Sequence, residues 1–373
     1  MRVIFVCGGT AGHINPALAV AAEVKRMDPD AKILFVGSGR QLENRLIPQE
    51  GYRLVNITVR GFDRRLTPAM VMSNIRALKA LREALAESEK ILRGFSPDVV
   101  LGTGGYVCYP VLAKAAEMGI PTFIHESNAI PGLATKMLAG KVDKILTAFD
   151  SIPALRRYAH KTVHVGTPVR GDFGRITKHD ARLKLGIDGR PLVVSFWGSL
   201  GAEHMNEMML DFIEINARSR LFNHIHATGG GDMVLKAFKD KLLARQVTSP
   251  LPQWIDIRPY IANMAEVMTA ADLIVCRAGA STIAELTYLG KPAVIVPSPN
   301  VANNHQEKNA RRLEEAGGAV VLDEKDLSGE KLYETVRRLL IDLPGLIRMS
   351  QAMKSLGVSD SARRIAEIIF SAC

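Results

Sequence analysis

The chain has 373 residues, of which 47% are hydrophobic, and its net charge is +10 at pH 7. This length exceeds one typical core, so two domains are expected, and no apolar run approaches the roughly 20 residues that span a bilayer. The first apolar run ends at Gly8 and is too short for a signal peptide. The four cysteines form no CxxC pair, which disfavours a metal centre and favours a reducing cytoplasm. The positive charge favours anionic partners, and nucleic acid is the least supported of them because no nucleic-acid motif is present.

Short apolar runs alternate with longer amphipathic segments in the first half of the chain. Strands are predicted at 2–7, 32–36, 53–57, 98–101, 121–124, 144–147 and 162–165. Helices are predicted between them, at 16–27, 41–50, 70–93, 109–118 and 132–139. This alternating order predicts a parallel sheet that is covered by helices on both faces.

The segment VGTPVRGDFGR, residues 165–175, is rich in glycine, proline and charge and is interpreted as a linker. The pattern then restarts, with strands predicted at 192–196, 223–227, 272–275, 292–296 and 319–322. Helices are predicted at 202–217, 232–245, 262–270, 282–289, 304–316, 329–341 and 345–371. The expected fold class is α/β, with two doubly wound Rossmann-like domains that face each other across a cleft. The predicted domains are 1–165 and 166–344, and 345–373 is expected to return to the first.

The loop GGTAGHINPALAVA, residues 8–21, directly follows the first predicted strand. Asn15 is a good N-cap and Pro16 suits a first helical position, so amides near Gly12 and His13 are expected to form an anion site. A dinucleotide is disfavoured, because the spacing is not GxGxxG and the second strand ends at Gly37 without an acidic residue. The alternative is a tight strand–helix turn without a ligand.

Four further polar or glycine-rich loops follow predicted strands. They lie at 101–110, 123–132, 196–206 and 276–286. Ligands of open parallel sheets bind outside the carboxyl ends of the strands. Five such loops, divided between two domains, predict a cleft that binds two anionic molecules.

Seven motifs together resemble those of the MurG family of peptidoglycan N-acetylglucosaminyltransferases. In order they are GGTAGHINPALA, LGTGGYV, HESNAIPGLATKMLA, VGTPVR, GSLGA, CRAGASTIAEL and GKPAVIVPSPNVANNHQEKNA. The resemblance implies a glycosyltransferase B fold and inverting transfer of N-acetylglucosamine from UDP-N-acetylglucosamine to an undecaprenyl-pyrophosphoryl-N-acetylmuramyl pentapeptide. It further implies a peripheral protein on the cytoplasmic face of the bacterial inner membrane, with no obligatory metal or other cofactor. Other cell-wall synthesis or division proteins are expected as further partners.

The resemblance also assigns donor-binding residues. They are Thr10, Ala11, Gly12, Asn128, Arg170, Ser199, Ile261, Ala280, Ser281, Thr282, Ile283, Ala284, Glu285 and Gln306. Glu285 is expected to bind the ribose hydroxyls, since a carboxylate accepts two hydrogen bonds. The alternative is a capping box, because Thr282 and Glu285 have its spacing. Ser199 alternatively is an ordinary turn residue.

Several residues depart from the family pattern in these motifs. Ala11 stands in place of a glycine, and Cys108, Tyr109 and Ser127 differ from the commoner residues. Trp197 stands in place of a glycine, Leu200 in place of a glutamine, and His305 precedes Gln306 where a second glutamine is common. We expect Trp197 to reshape the donor-phosphate loop. The resemblance implies that the acceptor pyrophosphate is held by Gly104, Gly105 and Tyr106.

His13 is the candidate general base, because it is the only ionisable side chain of the first loop and imidazole takes up a proton near neutral pH. The alternative is that His13 binds the acceptor phosphate. No metal site is expected. The sequence Asp28-Pro29-Asp30 has the spacing of a metal-binding Asp-x-Asp motif, but it precedes a strand and is interpreted as a turn.

The segment 60–76 mixes arginines with apolar side chains and is a candidate surface for an anionic membrane. The alternative is that its apolar residues face the core at helical spacing. The nearest rival function is a UDP-N-acetylglucosamine epimerase or hydrolase of the same fold. A nucleotide-sugar sensor without turnover is a further alternative.

Overall fold

The computed structural model describes residues 1–59, 68–198, 200–247, 251–301 and 304–372, with the backbone alone for 68–79. The chain divides into two compact units. Unit 1 comprises Met1–Arg170 and Val358–Cys373, and unit 2 comprises Gly171–Gly357. The division falls within the predicted linker, five residues beyond the predicted first boundary.

Unit 1 is built on a seven-stranded parallel sheet in the order β3-β2-β1-β4-β5-β6-β7. The strands are β1 (Arg2–Cys7), β2 (Lys32–Gly37), β3 (Arg53–Asn56), β4 (Val99–Gly104), β5 (Thr122–Glu126), β6 (Lys144–Thr147) and β7 (Thr162–His164). The helices are α1 (Ala11–Met27), α2 (Gln41–Gln49), α3 (Pro68–Phe95), α4 (Cys108–Glu117), α5 (Leu133–Leu138) and, from the end of the chain, α14 (Ser361–Phe370). Separate cores on the two faces of the sheet bury its apolar strands, as the sequence pattern predicts.

Unit 2 is built on a six-stranded parallel sheet in the order β10-β9-β8-β11-β12-β13. The strands are β8 (Leu192–Phe196), β9 (Asn223–Ala227), β10 (Ile255–Arg258), β11 (Leu273–Cys276), β12 (Ala293–Ile295) and β13 (Ala319–Val321). The helices are α6 (Lys178–Lys184), α7 (Glu203–Ser219), α8 (Asp232–Ala244), α9 (Met264–Ala270), α10 (Ala280–Leu289), α11 (His305–Glu315), α12 (Gly329–Ile341) and α13 (Leu343–Ser355).

Both sheets have the strand order of a doubly wound Rossmann-like fold, which confirms the predicted fold class. The strand order reverses between β1 and β4 in unit 1 and between β8 and β11 in unit 2. Ligands of such sheets bind at these switch points. Ligand-binding residues are therefore expected in the loops that follow these four strands.

Several elements differ from the sequence-based prediction. The predicted single C-terminal helix is two helices: α13 packs on α10 and α12 of unit 2, whereas α14 packs on α1 of unit 1. The segment 345–373 is thus shared between the units, because Gly357 and the residues around it separate the two helices. The sequence prediction missed β10 and α6 entirely.

Candidate active site

The two glycine loops of unit 1 contact each other directly. The Gly8 N–H donates to the Gly104 carbonyl over 3.2 Å, and a methyl group on Gly105 would lie 2.7 Å from the Gly8 oxygen. Gly104 and Gly105 have φ values of +125° and +92°, which L side chains rarely adopt. Because β1 and β4 are neighbours, two loops that are about 100 residues apart in the sequence form one site.

His13 lies at the centre of this contact. Its Nδ1 is 2.7 Å from the Gly8 carbonyl oxygen, and its own carbonyl accepts a hydrogen bond from the Thr103 hydroxyl. A carbonyl only accepts, so Nδ1 is assigned the hydrogen and Nε2 is the proton-accepting nitrogen of the neutral ring. A methyl group on Gly104 would lie 2.7 Å from Nε2, so this glycine lets the β4 loop pack on the imidazole.

The first helix begins earlier than predicted. Thr10, in extended conformation, is the N-cap residue, and α1 begins at Ala11. The expectation that Asn15 caps the helix and Pro16 opens it is wrong: Pro16 lies inside α1, where its missing N–H costs one bond to the Gly12 carbonyl. The amides of Ala11 and Gly12 fall among the first N–H groups of the helix, which have no intrahelical partner.

A buried carboxylate that sequence reasoning missed fixes the first loop. Glu43 is fully buried and accepts hydrogen bonds from the amides of Gly9, Ser38 and Gly39. Glu43 is the third residue of α2, but the N-cap residue is Arg40. The usual capping signal, a serine or threonine three residues before the acid, is absent from the sequence.

The loop after β5 carries Asn128. Glu126 Oε1 accepts from the Asn128 backbone and side-chain amides, and Glu126 Oε2 accepts from Gly132 and Thr135. His125 is buried and its Nε2 bonds the Gly166 carbonyl. Burial lowers the pKa of His125, and the nearby His13 contributes to that shift. Because β5 pairs with β4, this loop lies beside the β4 loop that contacts His13.

The donor-binding segment of unit 2 begins α10. Gly279 is the N-cap residue, and its carbonyl accepts from the Ile283 amide. Thr282 is therefore the third residue of the helix, and the alternative of a capping box with Thr282 as cap is wrong. The first three amides, those of Ala280, Ser281 and Thr282, have no intrahelical partner and lie at the positive end of the helix dipole.

The side chains of this segment divide into two groups. Ile283 and Ala284 are buried in unit 2, so only their backbone is accessible to a ligand. Ser281, Thr282 and Glu285 are half-buried. Burial raises the pKa of Cys276, the last residue of β11, and the Glu285 carboxylate adds to that shift.

Gln306 is bonded to the loop after β12, the strand that pairs with β11. Its side-chain oxygen accepts from the Ser298 amide over 2.9 Å, so its NH₂ group is the part that suits a sugar hydroxyl. On the same helix, Asn309 donates to the Ala278 carbonyl. The structure thus brings Gln306 and the start of α10 together.

Arg277, which sequence reasoning did not select, connects these loops. It donates to the carbonyls of Val296 and Pro297 and to Glu324. Its guanidinium lies 5.9 Å from the centroid of the Trp197 ring. Its position directly after β11 is the sequence signal that could have found it.

The loop after β8 is described in part. Ser199 lies outside the described residues, so its predicted donor contact stays a prediction. Trp197 is buried in the unit 2 core, whereas Leu200 is 90% exposed. The expectation that Trp197 reshapes the loop is likewise still a prediction, but its ring is directed into the core.

Two other predicted donor residues occupy loops. Ile261 is buried between β10 and α9, and no backbone hydrogen bond between described residues uses its N–H or carbonyl. Its backbone therefore suits the recognition of a base edge. Arg170 is half-buried and is the last residue of the first segment of unit 1.

A small apolar groove of about 30 Å³ adjoins Tyr106 in unit 1. Tyr106 is 43% exposed. The groove is lined by Val59, Leu81, Tyr106, Tyr109, Pro110, Leu133, Ala134 and Met137.

The candidate membrane surface is the segment 60–76. Residues 60–67 lie outside the described residues, and only the backbone of residues 68–76 is described, so this surface stays a prediction. In the part of the chain that the structure covers, no helix is long and apolar enough to cross a membrane.

The fold and these loops define a glycosyltransferase of the two-domain B type. The family model for the glycosyltransferase family 28 N-terminal domain matches residues 3–147, and that for the C-terminal domain matches residues 192–365. The chain belongs to the MurG family of N-acetylglucosaminyltransferases within glycosyltransferase family 28.

The relatives that the chain resembles cover essentially its whole length. It is 45% identical, over 99% of its length and 97% of the relative's, to the UDP-N-acetylglucosamine–N-acetylmuramyl-(pentapeptide) pyrophosphoryl-undecaprenol N-acetylglucosamine transferase of Acetivibrio thermocellus. The crystal structure of Acinetobacter baumannii MurG superposes with a TM-score of 0.76 at 26% identity, covering 99% of both chains. A Neisseria meningitidis UDP-N-acetylglucosamine 2-epimerase has a TM-score of 0.68 at 14% identity over both whole chains, which shows a shared fold alone.

Proposed function

We propose that this enzyme transfers N-acetylglucosamine from UDP-N-acetylglucosamine to undecaprenyl-pyrophosphoryl-N-acetylmuramyl pentapeptide, with inversion at the anomeric carbon. The observation that carries the proposal is the pair of glycine-rich sites at the two switch points, in a chain that matches a transferase of this name over 99% of its length. The epimerase alternative is less supported, because its structural likeness extends to the fold alone.

In unit 2, three features support a site for the donor. The amides of Ala280, Ser281 and Thr282, which have no intrahelical partner, suit a pyrophosphate, and the Glu285 carboxylate suits the ribose diol. The NH₂ group of Gln306 suits a sugar hydroxyl, since its oxygen is already bonded to Ser298.

In unit 1, the glycine loops and the groove beside Tyr106 support a site for the acceptor. The positive-φ glycines let the β4 loop pack against Gly8 and His13, which brings that loop beside the amides at the start of α1 that suit a pyrophosphate. The apolar side chains beside Tyr106 offer a surface on which the start of a prenyl chain, which is joined directly to that pyrophosphate, could pack. Each CH₂ group buried there would contribute about 0.8 kcal/mol.

In the proposed reaction, the acceptor hydroxyl oxygen forms a bond to the anomeric carbon as the bond from that carbon to the UDP oxygen breaks. The hydroxyl proton passes to His13 Nε2, and UDP leaves with the bonding electron pair. The amides at the start of α10 stabilise the negative charge that develops on the departing pyrophosphate. In this proposal no metal or other cofactor takes part.

The proposed place of action is the cytoplasmic face of an anionic membrane, where the protein is peripheral. The net charge of +10 and the lipid-linked acceptor named for its relatives support this. Contacts with other cell-wall synthesis or division proteins are part of the same proposal.

The test is an assay with labelled UDP-N-acetylglucosamine and the muramyl lipid. We expect a labelled disaccharide lipid, and UDP release that depends on the lipid. A matched reaction without the lipid separates the rival functions, since an epimerase or hydrolase would consume the donor there and a sensor would consume it in neither reaction. Donor consumption without added lipid would contradict the proposal.

A further inference from the structure

Glu43 is surrounded by hydrogen-bond donors. Its carboxylate accepts from the Gly9 amide (2.6 Å), the Ser38 amide (2.6 Å) and hydroxyl (2.7 Å), the Gly39 amide (3.0 Å) and the Arg40 amide (3.4 Å). An ionised carboxylate only accepts hydrogen bonds, so this arrangement suits its charged form. Bonds to a charged acceptor are stronger than those between neutral groups.

One of these bonds connects Glu43 to His13 through a single peptide group. The Gly9 N–H, which donates to Glu43 Oε1, and the Gly8 carbonyl belong to the same planar unit. That carbonyl accepts from His13 Nδ1 over 2.7 Å. A hydrogen bond at one end of a peptide group polarises it and strengthens the bond at the other end.

We propose that Glu43 is a positioning residue for glycosyl transfer. Through the peptide between Gly8 and Gly9, its carboxylate holds His13 with the hydrogen on Nδ1 and keeps Nε2 as the proton acceptor. The inference rests on the proposed role of His13 as general base. It gives the enzyme a carboxylate–peptide–imidazole chain in which the acid acts without touching the ring.

The same geometry restricts the anion site of the first loop. Because its hydrogen bond to Glu43 occupies the Gly9 amide, a phosphate in this loop must use the free amides at the start of α1 instead. The Glu43 carboxylate thus orients the loop. The five hydrogen-bond donors around the carboxylate reduce the repulsion between its negative charge and a bound anion.

The test compares Glu43→Gln with two controls in the full-length enzyme. Ser38→Ala removes another donor to the same carboxylate but keeps the Gly9 bond, and Glu50→Gln makes the same charge change at an exposed position at the end of α2. We expect Glu43→Gln to lower kcat about 10-fold, as loss of an orienting partner does elsewhere, with little change in KM for UDP-N-acetylglucosamine. In ¹⁵N NMR of histidine-labelled protein, the fraction of His13 with the hydrogen on Nδ1 should fall.

A merely structural role predicts a different pattern. Glu43→Gln and Ser38→Ala would then both lower Tm, with the His13 tautomer unchanged in both. An unchanged tautomer in Glu43→Gln, or a kcat no lower than that of Ser38→Ala, would overturn the inference.

Should Glu43→Gln fail to fold, the wild-type protein supplies the test. The Gly9 amide proton should shift as His13 is protonated, because one peptide group joins them. A Gly9 signal that does not respond would overturn the inference. These NMR readouts do not depend on lipid turnover, so failure of the proposed function would be recognised separately.

Discussion

The contact between His13 and Gly104 depends on the absence of a side chain at residue 104. The residue has a φ of +125° and faces the imidazole ring, so an alanine there is strained in backbone and in contact. Backbone strain of this kind costs on the order of 1–3 kcal/mol. The sequence motif LGTGGYV therefore specifies the position of the candidate base as well as the turn.

We expect Gly104→Ala to displace His13, lowering Tm and reducing transfer to less than about a tenth of the wild-type rate. Gly94→Ala is the matched control, because Gly94 is exposed at the end of α3 with nothing within 4 Å of an added methyl group. The control should be neutral or slightly stabilising. Thermal melts and initial rates measure both effects, and a fully active Gly104→Ala enzyme would show that the contact is dispensable.

His13→Ala separates the two proposed roles of the imidazole. A general base contributes about 10²–10⁴-fold to a rate, so we expect kcat to fall by at least about 100-fold with KM for the donor little changed. If His13 instead binds acceptor phosphate, KM for the lipid rises and kcat at saturating lipid is nearly normal. Steady-state kinetics with both substrates varied decides between the two.

Glu285 is expected to recognise the ribose of the donor. Removing a hydrogen bond to a charged group costs about 1.5–3 kcal/mol, so Glu285→Gln should raise KM for UDP-N-acetylglucosamine about 10-fold or more. KM for the lipid should stay the same. Glu315→Gln, at the exposed end of α11, serves as the control. An unchanged donor KM would remove Glu285 from the site.

At the scale of elements, the pattern of apolar residues predicts the bounds of those strands and helices that are well buried. The buried strands β1 and β8 begin and end at the predicted residues, because mainly apolar runs mark strands covered on both faces. The strand β10 was missed because Asp256 and Arg258 alternate with apolar residues at an edge of the sheet. The start of α1 was misplaced because Asn15-Pro16 mimics a helix start.

The candidate site likewise was predictable only where it has a local sequence pattern. Glycine loops after strands are visible in the sequence, and so is the helix that begins near Ala280. The Glu43 hydrogen bonds to Gly9 and the Arg277 bonds to the β12 loop join residues 19 or more positions apart. Such side-chain contacts depend on the tertiary fold and have no local pattern, so only the structure shows them.

We expect two buried histidines on β9 to make the stability of unit 2 sensitive to acid. Ser195 bridges His224 and His226 at 2.8 and 2.7 Å. Burial lowers the pKa of both rings, that of His226 to about 3, and the neighbouring His226 lowers the pKa of His224 further. In an unfolded chain imidazole titrates near pH 6.5.

The unfolded state therefore binds more protons than the folded state once the pH falls below about 6.5. Above that pH the free energy of unfolding should not depend on these two histidines. Below it, the free energy of unfolding should fall towards pH 3 by about 1.4 kcal/mol per pH unit for each histidine. Denaturant unfolding at pH 7 and pH 5 measures this. His226→Phe should flatten the dependence and the exposed His160→Gln should not; equal slopes in all three proteins would contradict the prediction.

At the scale of the whole molecule, one topology is used twice. Each sheet reverses its strand order beside a glycine loop, and each loop is followed by a helix whose first amides have no intrahelical partner. A chain with two such sites can hold two phosphorylated substrates, one in each unit, and the positive net charge favours both. How the two units meet across the predicted cleft is still a prediction.

The most direct test of this account is a crystal structure of the enzyme with UDP-N-acetylglucosamine. We expect the pyrophosphate on the amides of Ala280, Ser281 and Thr282, the ribose at Glu285, and the uracil at the backbone of Ile261. A nucleotide bound against residues 8–13, with the segment 261–306 empty, would contradict the account.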